Sequence, residues 1–176
     1  MILQTERLYL REMTEQDLPD LRDILQDEKA MAAYEHAFSE DEVTDWLQRQ
    51  LHRYRQDGFG LWAMIRRDTD EMVGQCGITM QEVDGRMVPE IGYLLKRIYW
   101  HQGYAIEGAK GCRDYAFDVL GLPEVFSIIR DTNAASRRVA IRNGMTKRGQ
   151  IIKHYYGIDM PHDVYAVRKH ERQTEG

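Results

Sequence analysis

Between residues 88 and 130 the hydrophobic period changes twice, and this passage restricts the topologies open to the chain. Val88–Leu95 alternates as a strand. Tyr104–Leu120 then sets Ala105, Ala109, Cys112, Ala116 and Val119 on one helical face and stops at Leu120 and Gly121, with Pro123 beyond. Val125–Arg130 follows as a compact apolar strand. A strand, helix, strand run predicts a crossover that joins two parallel strands. Gly108 and Gly111 inside the helix each cost about 1 kcal/mol relative to Ala, which predicts close approach of another backbone or of a ligand.

The remaining segments surround that crossover with antiparallel strands. Leu8–Leu10 reads as a first strand, and either Thr14–Asp17 or Asp17–Asp20 starts a helix bearing Leu18, Leu21, Ile24 and Leu25. Ser39 and Glu42 form a capping box before Val43, Trp46, Leu47, Gln50, Leu51 and Tyr54, and Gly58 and Gly60 stop that helix. Leu61–Arg66 and Met72–Val83 alternate with period two, and Asp84-Gly85 signals a hairpin into Val88–Leu95. Asn133 caps a short helix ending at Asn143-Gly144, and Lys147–Tyr156 and Val164–Arg168 supply the last strands. The order βααβββαβαββ predicts an α/β fold: one mixed sheet of about seven strands flanked by about four helices, in a single domain over residues 1–176.

Composition removes several functional classes. With 24 Lys+Arg against 29 Asp+Glu the formal charge is −5, and no run of four basic residues offers a phosphate track, so nucleic acid is not an expected partner. The opening residues hold charge within seven positions and no sustained apolar stretch, so neither a signal peptide nor a membrane span is expected, and a cytoplasmic location follows. Cys76 and Cys112 lie in apolar segments without CxxC spacing, and the six histidines show no HExxH spacing; buried thiols and no metal are expected.

The segment after Leu95 carries the chemistry. A loop containing Gly103 leads into a helix N-terminus, where free N–H groups and the positive end of the helix dipole favour an anion over residues 100–105: Trp100, His101, Gln102, Gly103, Tyr104 and Ala105. An NTPase loop is disfavoured, because Ala109 separates Gly108 from Lys110 and Gly111 stands where Ser or Thr must hold magnesium. The dinucleotide pattern fails at Ala105. Taken together, Ile91–Leu95, Trp100–Ala105 with Glu107, and Asn133, Ser136, Arg138 and Val139 ending in Asn143-Gly144-Met145 resemble the acetyl-CoA motifs of the GNAT acetyltransferases, on the branch of the ribosomal-protein N-terminal enzymes.

That resemblance implies acetyl-CoA as cosubstrate and a primary amine as acceptor, either a peptide N-terminus or a small molecule such as a polyamine, amino acid or aminoglycoside; a homodimer is compatible with it. It implies that Gly103 and Ala105 take the pyrophosphate, with Trp100 where Gln or Arg commonly stands. Backbone N–H near Leu94 and Leu95 would polarise the thioester, Asn133 would meet the pantetheine arm and Arg138 a phosphate. Glu90 is the candidate base, against a reading as an exposed strand-end carboxylate. Ser136 is the candidate acid, because Ala140 stands where many family members carry a tyrosine; its hydroxyl equally suits a helix cap. Tyr34, Trp46, His154, Tyr155 and Tyr156 are candidate acceptor walls, and the acidic run Glu40–Asp45 a candidate lure for a cationic amine. A CoA sensor without chemistry and a nucleotide-phosphate binder are the readings from other classes.

Overall fold

The computed structural model describes residues 1–34, 36–155 and 157–172. Among them the chain forms β1 (Leu3–Gln4), β2 (Leu8–Arg11), α1 (Leu18–Leu25), α2 (Glu40–Gln56), β3 (Leu61–Arg66), β4 (Met72–Val83), β5 (Arg86–Leu95), α3 (Tyr104–Asp118), β6 (Glu124–Arg130), α4 (Ala134–Arg142), β7 (Thr146–Tyr155) and β8 (Ile158–Arg168). One sheet of eight strands in the order β1-β2-β3-β4-β5-β6-β8-β7 joins them, with β5 and β6 parallel and every other pair antiparallel. The two-residue β1 is too short to leave a periodic signal. Strand β8 begins six residues earlier than its apolar run, because Pro161 stands just past the end of β6, where its missing N–H interrupts no ladder bond.

Alternation along β3 divides the core in two. Trp62 and Met64 face α3, where Trp62 meets the Tyr115 ring edge-on at 5.4 Å, whereas Ala63 and Ile65 face α1 and α2 with Leu21, Ile24 and Leu47. Each fully buried large side chain contributes about 1.5–3 kcal/mol. Asp84 and Gly85 both take positive φ, 50° and 77°, the two-residue turn whose twist matches the long β4–β5 hairpin. No described helix is long and apolar enough to cross a membrane.

The glycines of α3 are small for a different reason than the sequence suggested. A Cβ at Gly108 would sit 2.8 Å from the Met64 methyl and 3.3 Å from the Cys76 sulfur; one at Gly111 would meet Thr5 and Leu3 side chains at 3.0 and 3.1 Å. Side chains of β1 with the following Thr5, and of β3 and β4, rather than a backbone or a ligand, fill the space. Cys112 lies in the same layer, fully buried, with its sulfur 3.6 Å from that of Cys76. Val119, placed on the buried face by periodicity, is exposed because the helix has ended at Asp118.

Gly77 has no such freedom: a Cβ there would lie 2.0 Å from the Gly60 carbonyl oxygen. Gly77→Ala should therefore destabilise the domain by at least about 1–3 kcal/mol through forced backbone movement. At Gly149 a Cβ meets nothing within 4 Å, and Gly149→Ala should stay within about 0.5 kcal/mol of the parent. Urea unfolding of the two variants checks the contrast.

Candidate active site

The parallel ladder between β5 and β6 consists of a single register pair, Glu90 opposite Phe126. Past it the strands part, and side chains take the groups that the next rungs would have used. The Ile128 N–H donates to the Glu90 carboxylate at 2.7 Å, and the Ser127 hydroxyl donates to the Ile91 carbonyl at 3.3 Å. Glu90 is thus a half-buried wedge at the head of a gap, not the exposed strand-end carboxylate of the alternative reading.

Strand alternation decides which backbone groups line the gap. The Lys96 N–H donates to the Val73 carbonyl of β4, so every second residue before it, including Leu94 opposite Gln75, directs its N–H to β4 as well. Tyr93 and Leu95 direct theirs to the opening. This corrects the expectation for Leu94, whose amide faces the neighbouring strand, and puts Tyr93 beside Leu95 in its place.

From Leu95 the chain turns into the loop before α3. The Trp100 indole N–H donates to the Leu95 carbonyl at 3.2 Å and ties the loop to the strand end. His101 and Gly103 take positive φ, 60° and 82°, and Gly103 is the N-cap of α3. No side chain caps this helix, and its first internal N–H is that of Glu107, bonded to the Gly103 carbonyl at 3.2 Å. The N–H groups of Tyr104, Ala105 and Ile106 are therefore the orphan donors of the first turn, the arrangement that receives an anion. The Tyr104 side chain itself is buried against Tyr99 and under the Arg7 guanidinium, so only its backbone belongs to this site. His101 and Gln102 are exposed; the Gln102 amide returns to the Ile98 carbonyl, and Ala105 packs on the core.

Glu107 places a carboxylate one turn from that anion position. It is held by the Thr5 hydroxyl at 2.5 Å, the Arg7 N–H at 2.9 Å and the Arg7 Nε at 2.7 Å. Burial opposes its ionisation, but these bonds outweigh it and hold the carboxyl below its ordinary value. Arg7 also donates to the Gln102 carbonyl at 2.9 Å, fixing the loop. Sequence reasoning passed over Arg7, for which a lone arginine 100 residues from its partner leaves no spacing signal.

On the α4 side, Asn133 caps the helix by accepting the Ser136 N–H at 3.1 Å, and the Ser136 Oγ accepts a hydrogen bond from the Tyr93 hydroxyl at 3.2 Å. Arg138 is exposed on the same helix, and Ala140 is buried in the core. Tyr93 was missed in the sequence, although its alternation with Ile91 and Leu95 put it on the α3 and α4 face. Burial raises its hydroxyl pKa to about 12, with the Ser136 contact opposing the rise.

Glu90, three residues earlier on β5, projects from the opposite face. Burial raises its carboxyl from 4.5 to about 7, opposed by Lys153, the Ile128 N–H and Arg53. Tyr34 and Trp46 stand ring against ring at 6.1 Å, but the Trp46 indole donates to Gln75 at 3.0 Å inside the core. His154 pairs with Asp159 across the β7–β8 hairpin; the Tyr155 side chain and Tyr156 lie outside the described residues. The acidic run is already used: Glu40 holds Arg22 and Gln26, and Glu42 holds His36 and the Ser39 N–H.

Residues 7–146 match the family described as acetyltransferase (GNAT) domain. Among relatives, the uncharacterized N-acetyltransferase YoaA of Bacillus subtilis (strain 168) is 29% identical over 172 residues, covering 96% of this chain and 97% of its own. The crystal structure of a GNAT-family acetyltransferase from Bacillus anthracis superposes with a TM-score of 0.80 at 22% identity, covering 96% of this chain and 98% of that one. RimL, a ribosomal L7/L12 alpha-N-protein acetyltransferase solved in complex with coenzyme A, superposes with a TM-score of 0.75 at 19% identity over 93% of this chain and 95% of its own.

The raised Glu90 pKa has a consequence for stability. The folded chain holds this proton more tightly than the unfolded chain, so stability falls as pH rises from about 4.5 to about 7, and the loss is complete above that window. Glu90→Gln should gain Tm relative to the parent more at pH 8 than at pH 5, as thermal unfolding at the two pH values will register.

Proposed function

The chain belongs to the GNAT acetyltransferases, and on that premise we propose that it moves an acetyl group from acetyl-CoA to a primary amine across the gap between β5 and β6. The observation that carries the reading is the placement of Glu90 on one face of β5 and the Tyr93–Ser136 pair on the other, with the Tyr93 and Leu95 backbone between them. The α3 N-terminus supplies the orphan N–H groups that suit a pyrophosphate over residues 100–105, and Gly103 adopts a backbone conformation that other residues resist. Asn133 and Arg138 lie along the α4 side of the same gap, suited to a pantetheine arm and a phosphate.

The thioester is already activated, so the residues have to orient the amine, take its proton and stabilise the departing sulfur. Glu90 with a pKa of about 7 is half ionised at neutral pH, which matches a base to its working range. The amine nitrogen forms its bond to the acetyl carbon, its proton passes to Glu90 directly or through one water, and the carbon–sulfur bond breaks to release a thiolate, which the Ser136 hydroxyl stabilises by donating a hydrogen bond and which takes its proton from solvent. The N–H groups of Tyr93 and Leu95 stabilise negative charge on the acetyl oxygen as it develops. A peptide N-terminus suits this site: an α-amino group of pKa about 7.7–8.0 is partly neutral near pH 7.5, whereas a lysine amine near 10.4 needs a stronger base.

The pH dependence of kcat/KM, measured by thiol release with a lysine-free peptide, should rise through about pH 7 as Glu90 ionises. Glu90→Gln should lower it about 10²-fold, with partial recovery at higher pH. Superimposable profiles would remove Glu90 from the reaction. Ser136→Ala should lower kcat about 10²-fold with little change in KM for acetyl-CoA, and Tyr93→Phe about tenfold, the worth of one neutral hydrogen bond. A change confined to KM would make the pair a binding element.

A further inference from the structure

Although the chain carries a net charge of −5, the sheet face that bears Glu90 is cationic. Paired residues of neighbouring strands share a face. Arg130 lies four residues along β6 from Phe126, the partner of Glu90; it pairs with His162 of β8, which pairs with Ile151 of β7, two residues before Lys153. These side chains therefore share the Glu90 face. Above it runs α2, where Arg49 and Arg53 are one turn apart; a Cβ at Gly60 would meet the Arg53 Cβ at 3.3 Å, the Gly60 carbonyl accepts the Ile78 N–H at 3.1 Å, and the next residue, Thr79, pairs with Glu90. The acids nearby are Asp57, which faces Arg53, and Asp131, which faces His162.

Several other guanidinium groups, among them those of half-buried Arg11, Arg22 and Arg66, are matched to carboxylates. Arg7, Arg11, Arg22 and Arg66 each stand 2.7–2.9 Å from one. Among the described residues Arg49, Arg53 and Arg130 form no ion pair, and half-buried Arg53 reaches only the Gln50 side-chain oxygen, at 3.2 Å. A desolvated guanidinium beside other cations lowers the free energy of a carboxylate that settles on it, and its planar fork suits that ligand. The same charges repel a polycation.

We propose that the acceptor is an amine that carries a carboxylate near the amino group, with the carboxylate held by Arg53 and Arg130 and the nitrogen presented to Glu90. This deepens the transferase reading and rests on it. Two sources offer the chemistry, a free amino acid and a peptide with an acidic residue beside its N-terminus, and the acidic run at the start of α2 plays no part. That run lies about 12–20 Å along the helix from Arg53.

The test is calorimetric binding to the CoA-bound protein, a readout that needs no turnover, paired with thiol release from acetyl-CoA. The probes are two lysine-free peptides of equal length with Asp or Asn at the second position, leucine and leucinamide as the small-molecule arm, and spermine as the polycation. The Asp peptide or leucine should bind at least about tenfold more tightly than its neutral counterpart, and Arg53→Gln should narrow that ratio to about twofold. Whichever pair shows the ratio names the source. If Arg53→Gln does not fold, Arg130→Gln and Arg53→Lys carry the comparison, the lysine keeping charge but losing the fork. Equal binding in both pairs, tighter binding of spermine, or a ratio that folded Arg53 and Arg130 variants leave unchanged would overturn the proposal. Preferential binding without thiol release would leave the carboxylate site standing and sink the transferase reading; equal rates and affinities for all amines would do the reverse.

Discussion

The parting of β5 from β6 is the constraint on which the rest of the molecule depends. Two parallel strands in a sheet ordinarily close every rung, and a donor or acceptor left open inside costs about 1–3 kcal/mol. Here the ladder stops at Glu90 and Phe126, and the first open rung is closed by side chains, Glu90 onto Ile128 and Ser127 onto Ile91. The gap is therefore held open rather than left unfinished. Its position also explains the covering layers, since α3 crosses from the end of β5 to the start of β6 on one face while α2 approaches Glu90 from the other.

The helix that spans the gap brings an electrostatic problem with it. Its N-terminus favours an anion, yet Glu107 in the first turn is an anion already. Thr5 and Arg7, from the segment before β2, take both carboxylate oxygens, and Arg7 reaches on to the Gln102 carbonyl. The charge in the first turn is thereby matched locally, and the N–H groups of Tyr104, Ala105 and Ile106 keep their direction out of the helix. This ties the segment between β1 and β2 to the loop 95 residues later, and it makes that segment part of the framework of the candidate anion site.

Element order from β2 onward, the Ser39–Glu42 capping box, the Asp84-Gly85 turn and the parallel crossover were legible because each rests on local chemistry: a cap, a turn residue, a hydrophobic period. The candidate site was legible where it is a motif, as at Gly103, Asn133 and Ser136. It was not legible where it depends on pairing between distant segments. The direction of the Leu94 amide follows from register with β4, which periodicity alone does not reveal; Arg7 gains its meaning from a partner 100 residues away. Glu90 was found, but its burial against Ile128 requires the splay to be seen first. The glycines of α3 were noticed for the right reason, tight space, with the wrong neighbours assigned.

The proposed reaction gives Tyr93, on a strand, a part beside Ser136 of α4. Ala140 is buried, so a large side chain in its place would have to displace core packing, and the hydroxyl that the strand supplies is that of Tyr93, which donates to Ser136. With its pKa raised to about 12, Tyr93 is a poorer proton donor than an ordinary tyrosine, whereas a leaving thiol near 8.5 asks for little. Donation of the Tyr93 hydroxyl to the Ser136 oxygen polarises the serine O–H, and hydrogen bonds in such a chain strengthen one another. In the proposed reaction Ser136 faces the sulfur and Tyr93 stands behind it. The thiolate need not be fully protonated within the site for this to act, because a hydrogen bond that strengthens as charge develops lowers the barrier without lowering the ground state. In the proposed reaction the base and the hydroxyl pair stand on opposite faces of one strand, so the proton leaving the amine and the hydrogen bond to the departing sulfur are handled apart, and neither group has to serve both.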